Sequence, residues 1–269
     1  MGDKKISVMV ATHIIDADTN PYIENEMLLK TILSSKEKMG LQGVDYYIYI
    51  DDKFRKKYPK LFKQYVDYLL GEFQKPEFQY INIEIVEDSC ELLKGNWMHM
   101  IKNCKTPYFL FLEHDWEFVR DVPTEEIIEV MDKNEHCNYV KFPKNNLGPG
   151  NSVPWDNRSH WKKHGGCFET ETDMDTDLPL TRIAYYSGNP HIVKVSKCRE
   201  FYVPQLLNYW AGATLGTSHL EKEFMRIINK DIHTLGDLEA HKKWGVFLYG
   251  VWDNFPLVVK HLGDWCRKR

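Results

Sequence analysis

Two carboxylates, Glu113 and Asp115, directly follow a run of five apolar residues that extends from Tyr108 to Leu112. An apolar run of this length is typical of a β-strand that is buried on both faces. In extended backbone, side chains two positions apart point the same way, so both carboxylates could address one divalent cation. Carboxylate oxygens are suitable ligands for such a hard cation. The chemistry predicted at this point of the chain is therefore metal binding.

Strand and helix patterns alternate around this pair of acids. The apolar patterns predict strands at 6–12, 46–50, 81–85 and 108–112, with a helical stretch between each strand and the next. Such alternation indicates right-handed crossovers and an α/β fold with a mainly parallel, doubly wound, Rossmann-like sheet and helices on both faces. The second half is less regular, with predicted strands at 183–186, 192–195, 246–249 and 257–260 and a helix at 218–229.

Acidic residues follow three of the predicted strands. They are Asp51 and Asp52, Glu87 and Asp88, and Glu113 and Asp115. Ligands of parallel α/β sheets bind beyond the carboxyl ends of the strands, so the three pairs are expected at one ligand-binding edge. The alternative is that the acids simply favour turns and helix starts.

The composition is that of a globular protein. The chain has 269 residues, of which 28% are charged and 43% hydrophobic, and its net charge is −4. This charge balance and the absence of a basic stripe argue against nucleic-acid binding. No apolar stretch is long enough for a transmembrane segment, so we expect a cytoplasmic protein.

We predict a single domain over 1–269, with a ligand-binding half at 5–120 and a second half at 121–269.

The order of these segments resembles that of the GT-A glycosyltransferases, which use nucleotide sugars. In that family, a strand of this kind ends in an acid-x-acid motif that holds Mn²⁺ or Mg²⁺ against the donor diphosphate. The usual first acid is Asp, where this chain has Glu113. The resemblance implies that Asp115, Glu113 and His261 are the metal ligands. Because imidazole nitrogen suits Mn²⁺ better than Mg²⁺, His261 favours manganese.

The resemblance also implies a donor site for a UDP- or GDP-sugar. The strand ends at Thr12 and Asp51 and the Lys94–Trp97 segment resemble the parts of the family that grip the nucleoside. The residues implied in donor binding are Thr12, His13, Asp51, Asp52, Asp88, Asn96, Glu113 and His114.

The catalytic base and the acceptor site fall in the second half. The segment 218–223 resembles the acidic motif of the family that provides the base, which makes Glu221 the first candidate and Glu223 the second. Ser218 and Glu221 also have the spacing of a helix capping box, and both interpretations stay open. The alternative interpretation of Glu223 is that it is a solvated surface acid. The residues implied in acceptor binding are Trp155, Trp161, Gly188, Asn189 and His191. Residues 188–191 could equally form a plain hairpin turn.

The function that the resemblance implies is metal-dependent transfer of a sugar to a glycan or other hydroxyl acceptor, with inversion by a carboxylate base. One alternative is a non-catalytic carbohydrate-binding domain, in which aromatic rings of the second half such as Tyr186 and Trp244 form a sugar platform. A sugar-1-phosphate nucleotidyltransferase would need a Gly-rich, cationic loop after the first strand. This chain has Thr12 and His13 there, without Gly or cation.

Overall fold

A computed structural model of the chain describes residues 4–12, 21–50, 52–86, 92–144, 170–171, 177–183, 186, 188–211, 220–250 and 256–262. The chain forms two compact units, one of Met1–Val122 with Val259–Arg269 and the other of Pro123–Val258. The boundary after Val122 lies close to the predicted division at 120, but the final segment of the chain belongs to the first unit. The single domain over 1–269 stays a prediction.

The first unit alternates strands and helices as far as Val122. Its elements in chain order are β1 (Ile6–Thr12), α1 (Pro21–Lys38), β2 (Asp45–Ile50), α2 (Asp52–Lys57), α3 (Pro59–Glu72), β3 (Asn82–Val86), α4 (Leu92–Asn103), β4 (Tyr108–Glu113) and β5 (Trp116–Phe118). The four strands predicted here are confirmed, with each boundary within one residue.

Four strands of the first unit pair in parallel in the order β3-β2-β1-β4. All seven residues of β1 and the first five of β4 are buried, as the apolar runs predict. Thr12 lies opposite Ile50, and Ala11 lies opposite Glu113, so β1, β2 and β4 end at the same edge. The predicted α/β class is confirmed.

The second unit is mixed in strand direction. Its elements in chain order are α5 (Thr124–Lys133), β6 (Tyr139–Lys141), β7 (Thr170–Glu171), β8 (Leu180–Arg182), β9 (His191–Lys194), α6 (Val195–Lys197), a π-helical turn (Cys198–Tyr202), α7 (Val203–Ala211), α8 (Leu220–Leu235), α9 (Asp237–Trp244) and β10 (Val246–Tyr249). The strand order is β9-β6-β10-β8-β7, in which only β6 and β10 pair in parallel. The strand that pairs with β10 and β7 is β8, at Leu180–Arg182. Residues 184 and 185 of the strand predicted at 183–186 lie outside the described residues.

Strand β11 (Val259–His261) returns to the first unit. It pairs antiparallel with β5, and this pairing places His261 opposite Trp116. A strand was predicted at 257–260, so the element is confirmed with a shift along the chain. The pairing of β11 with β5 fixes the end of the described chain next to the residues that follow β4.

The described helices include none that could span a membrane. The longest, α1, has 18 residues and carries Glu and Lys side chains along its whole length. Ionised groups at such positions are costly in hydrocarbon.

Gly245 connects α9 to β10 in a conformation that only glycine adopts easily. Its φ is 65°, and an added Cβ would overlap the His136 carbonyl oxygen and the Asn138 amide nitrogen. We predict that Gly245→Ala lowers the free energy of unfolding by about 3 kcal/mol or more, through left-handed strain and overpacking. Gly43→Ala is the matched control, because Gly43 has φ 71° with no atom within 4 Å, and should cost only about 1–2 kcal/mol. Urea denaturation of both variants measures the difference, and equal losses would contradict the packing argument.

Candidate functional site

Asp115 and His261 form a close pair in the first unit, although 145 positions separate them in the sequence. The distance from Asp115 Oδ2 to His261 Nε2 is 2.9 Å. The pairing of β5 with β11 brings the two residues together, and the Leu262 N–H donates to the Asp115 carbonyl at 2.7 Å. The Trp116 and His261 rings are nearly perpendicular to each other, with centroids 4.9 Å apart. The structure thus joins two of the predicted metal ligands.

The turn that carries Asp115 is held by buried hydrogen bonds. The His114 N–H donates to the Ala11 carbonyl at 3.0 Å, which continues the register of β4 with β1. The Thr31 hydroxyl lies 2.7 Å from the His114 carbonyl oxygen and is fully buried. His114 and Asp115 are themselves buried, at 3% and 7% exposure. Their backbone is therefore fixed by β1, α1 and β11, which orients the Asp115 carboxylate.

Glu113, the third predicted metal ligand, stays a prediction. No three His, Cys, Asp or Glu side chains come together as a metal-binding group among the described residues. The prediction assumed extended backbone from Glu113 to Asp115, in which both side chains point the same way. Instead β4 ends at Glu113, and His114 and Asp115 form a turn, so the alternation stops between the two acids.

The Asp115–His261 pair has the chemistry and spacing of two neighbouring metal ligands. Octahedral metal–oxygen bonds of about 2.1 Å place adjacent ligand atoms about 3 Å apart, which is close to the separation of Oδ2 from Nε2. A carboxylate with an imidazole suits Mn²⁺ better than Mg²⁺. Asp115 and His261 therefore fit such an ion, and other ligands would fill its remaining coordination positions.

The predicted donor-binding residues have different environments. The Thr12 hydroxyl is buried and lies 3.1 Å from the Tyr65 hydroxyl, so it ties the end of β1 to α3. Asn96 is buried in α4 at 2% exposure. Asp52 is the first residue of α2. Three further predictions, His13, Asp51 and Asp88, lie outside the described residues.

A second cluster of functional groups lies within the second unit. The carboxylate of Glu221, in the first turn of α8, accepts a hydrogen bond from the Gly188 N–H. The side chain is therefore engaged by a separate loop, while the proposed cap, Ser218, lies outside the described residues. Glu223 is only 1% exposed, which shows that its interpretation as a solvated surface acid is wrong. Burial of Glu223 leaves Glu221, which is half-buried, as the more accessible of the two candidate bases.

His191 is a structural residue of the same cluster. Its ring is fully buried and stacks on Tyr139, with centroids 4.3 Å apart, so the predicted direct contact with an acceptor is not available. Burial lowers the pKa of His191 to about 3, which keeps the imidazole neutral at pH 7. The Nδ1–H donates to the Asn189 carbonyl at 2.8 Å and shapes the Gly188–His191 loop.

The remaining acceptor-binding residues and the aromatic sugar platform, both predicted in the second unit, can be compared with the structure only in part. Asn189 is half-buried, whereas Trp155 and Trp161 lie outside the described residues. Tyr186 and Trp244 are 1% and 2% exposed, and Trp244 stacks on Tyr202 with centroids 5.6 Å apart. These two rings are core residues and do not form a sugar platform.

Lys141 is a member of the cluster that the sequence reasoning missed. It is 4% exposed and lies opposite His191 in the pairing of β6 with β9. Burial lowers the pKa of its ammonium group to about 7; the charge of Glu221 opposes this effect and that of Lys144 adds to it. The only signal in the sequence was a lysine inside the apolar segment Tyr139–Phe142, which also fits an exposed strand end.

Known protein structures resemble the chain at low sequence identity. No family model and no curated protein matches the chain. Crystal structures of S. aureus TarS residues 1–349 match with TM-scores of 0.48 for the protein without a named ligand, 0.43 for the complex with UDP-GlcNAc and 0.42 for the complex with UDP. The identities are 9%, 12% and 13%, over 97%, 73% and 73% of this chain. The chain spans 47% to 62% of the length of those structures.

Proposed function

We propose that the protein is a metal-dependent glycosyltransferase that moves a sugar from a nucleoside-diphosphate sugar to a hydroxyl acceptor. The observation that carries the proposal is the Asp115–His261 pair, a carboxylate and an imidazole 2.9 Å apart beyond the end of a buried strand. The sequence resemblance to GT-A enzymes supports the same reaction, because it implies these two residues independently of their contact.

In this proposal the first unit binds the donor. Asp115 and His261 would hold Mn²⁺ or Mg²⁺, which, when bound, supplies positive charge for the diphosphate of the donor. The hydrogen bonds of the His114 and Leu262 N–H groups fix the backbone that carries the Asp115 side chain before the donor arrives. Preorganisation of this kind lowers the cost of stabilising charge on the leaving group. The parallel edge formed by the ends of β1, β2 and β4 is where the nucleoside is expected to bind.

In the same proposal Glu221 of the second unit acts as the general base. Its carboxylate removes the proton of the acceptor hydroxyl while the acceptor oxygen bonds to the anomeric carbon of the sugar. The bond from that carbon to the diphosphate oxygen breaks, and the nucleoside diphosphate leaves with the electron pair. A single displacement of this type inverts the anomeric centre. The Gly188 N–H donates to the Glu221 carboxylate and holds the side chain in place.

A screen of nucleotide sugars tests this function. Wild-type protein is incubated with UDP- and GDP-sugars, a mixture of glycan acceptors and Mn²⁺, and the released nucleotide is identified by chromatography. We expect nucleoside diphosphate to be released from one donor, and EDTA to stop the release. Release of pyrophosphate with a sugar phosphate and a nucleoside triphosphate would instead support a nucleotidyltransferase. Glycan binding without turnover, unchanged by EDTA, would support a carbohydrate-binding domain and overturn the proposal.

A further inference from the structure

Helix α1 holds the segment that carries Asp115 through side chains on one of its faces. The Thr31 hydroxyl donates to the His114 carbonyl at 2.7 Å, and the Ser34 hydroxyl accepts from the Phe118 N–H at 3.1 Å. Residues three positions apart are neighbours on a helix surface. Ser34 therefore fixes the end of β5 to α1, and Thr31 fixes the turn that precedes β5.

The contact made by Thr31 fixes one of the two peptide groups that flank the Asp115 Cα. The His114 carbonyl belongs to the peptide group before this atom, and the Asp115 carbonyl belongs to the peptide group after it. The Leu262 N–H donates to the second carbonyl at 2.7 Å. Because peptide groups are planar, holding both of them restricts the two backbone dihedrals of Asp115. The direction of the bond that carries its carboxylate is thereby set from α1 and from β11.

The His114 carbonyl gives the Thr31 hydroxyl a partner outside its own helix. A threonine within a helix commonly donates to the carbonyl four positions earlier, and Thr31 lies 2.9 Å from the Met27 carbonyl oxygen. A hydroxyl has a single hydrogen, and the shorter distance, 2.7 Å, is the one to His114. Thr31 is fully buried, as are Leu28 and Ile32 of the same helix, so the burial of this position does not itself require a hydroxyl.

We propose that Thr31 is a positioning residue of the metal site, whose hydroxyl holds the turn at His114 so that the Asp115 carboxylate faces His261 before a divalent cation binds. The inference rests on the proposed function, because Asp115 and His261 are the residues that would hold the cation. Their Oδ2 and Nε2 atoms are 2.9 Å apart, and a turn released from α1 would let this separation vary. Loss of a group that orients a metal ligand typically weakens metal binding by about 10- to 100-fold.

Titration of Mn²⁺ into the nucleotide-free protein, followed by the electron paramagnetic resonance signal of the free ion, tests the inference. Thr31→Val removes the hydroxyl and keeps the branched shape of the side chain. We expect it to raise the Kd for Mn²⁺ by about 10-fold or more. Thr31→Ser keeps the hydroxyl, and its Kd should stay within about threefold of the wild-type value. The Tm of Thr31→Val should fall as well, because a buried carbonyl loses its donor.

Ser35→Ala is the matched control for the loss of a buried hydroxyl. Ser35 is also fully buried in α1, but its hydroxyl contacts the Ile32 carbonyl of the same helix at 2.9 Å and the Tyr46 hydroxyl of β2 at 3.0 Å. Its loss should lower the Tm and leave the Kd for Mn²⁺ within about twofold of wild type. A Thr31→Val protein with a lowered Tm and the wild-type Kd would overturn the inference, because the hydroxyl would then be purely structural.

Two further variants keep the outcome decisive. If Thr31→Val does not fold, Thr31→Cys replaces it, since a thiol is only a weak donor, and its Kd should exceed that of Thr31→Ser by about threefold or more. Equal Kd values of these two variants would overturn the inference. Asp115→Asn that leaves the wild-type affinity for Mn²⁺ unchanged would remove the proposed function and this inference with it. Asp115→Asn that loses Mn²⁺, beside a Thr31→Val that retains it, would remove this inference alone.

Discussion

Asp115→Ala is expected to abolish metal-dependent turnover and leave the protein folded. The substitution removes one of the two side chains that would hold the cation and leaves His261 without its carboxylate partner at 2.9 Å. We expect kcat/KM to fall on the order of 10³-fold or more, since electrostatic stabilisation of a leaving group is among the largest catalytic effects. Steady-state release of nucleoside diphosphate at saturating Mn²⁺ measures the loss.

The fold should survive this change because the backbone contacts of Asp115 do not need the carboxylate. The Leu262 N–H donates to the Asp115 carbonyl, and the pairing of β5 with β11 is unchanged. Asp115→Asn keeps the volume of the side chain and serves as a second variant should alanine disturb the buried turn. Asp121→Ala is the matched control, since the Asp121 side chain is 84% exposed and pairs with Lys38 on the surface. Activity of Asp115→Asn equal to that of Asp121→Ala would contradict the metal-ligand role.

Glu221→Gln should separate catalysis from donor binding. The amide keeps the size of the side chain and an oxygen that can accept from the Gly188 N–H, but it cannot take the proton of the acceptor. We expect kcat to fall by about 10²- to 10⁴-fold, the range typical of a lost general base. The affinity for the donor and Mn²⁺ should stay within about twofold, because this residue contributes little to ground-state binding in our account. Single-turnover rates together with titration of the donor provide both quantities.

Glu239→Gln is the control for Glu221→Gln. Glu239 lies on α9, is 61% exposed and forms an ion pair with Lys242 at 2.8 Å, so its loss should change neither rate nor stability measurably. If Glu221→Gln unfolds the protein, the carboxylate acts as a cap or anchor of α8. If it folds and retains wild-type kcat, the base is a different residue.

The sequence predicted the first unit well because its signals are local. β1, β2 and β4 are mostly apolar runs ended by a polar or acidic residue, and a run of this type specifies a buried parallel strand without reference to the rest of the chain. β3 alternates apolar and polar residues instead, which is an equally local strand signal. The extended backbone assumed from Glu113 to Asp115 was also a local prediction, and the structure has a turn there. The i, i+2 rule holds only while the backbone stays extended, and the chain turns at His114.

The second unit was harder to predict because its decisive contacts are distant in sequence. Strand β6 has only three residues, and its lysine is buried by pairing with β9 some fifty positions later. Lys141 alone is indistinguishable from a solvated strand end, since nothing nearby in the sequence indicates that it is buried. The Asp115–His261 contact was reached only through a family resemblance, because no periodicity connects residues so far apart.

Calorimetric titration of UDP and GDP into the wild-type protein, with Mn²⁺ and then with EDTA, tests the central claim most directly. The account predicts that one of the nucleotides binds with Mn²⁺, that EDTA abolishes the binding, and that Asp115→Ala abolishes it at every Mn²⁺ concentration. Binding of the same strength in EDTA, or unchanged in Asp115→Ala, would contradict the account of Asp115 and His261 as the residues that hold the metal for the donor diphosphate.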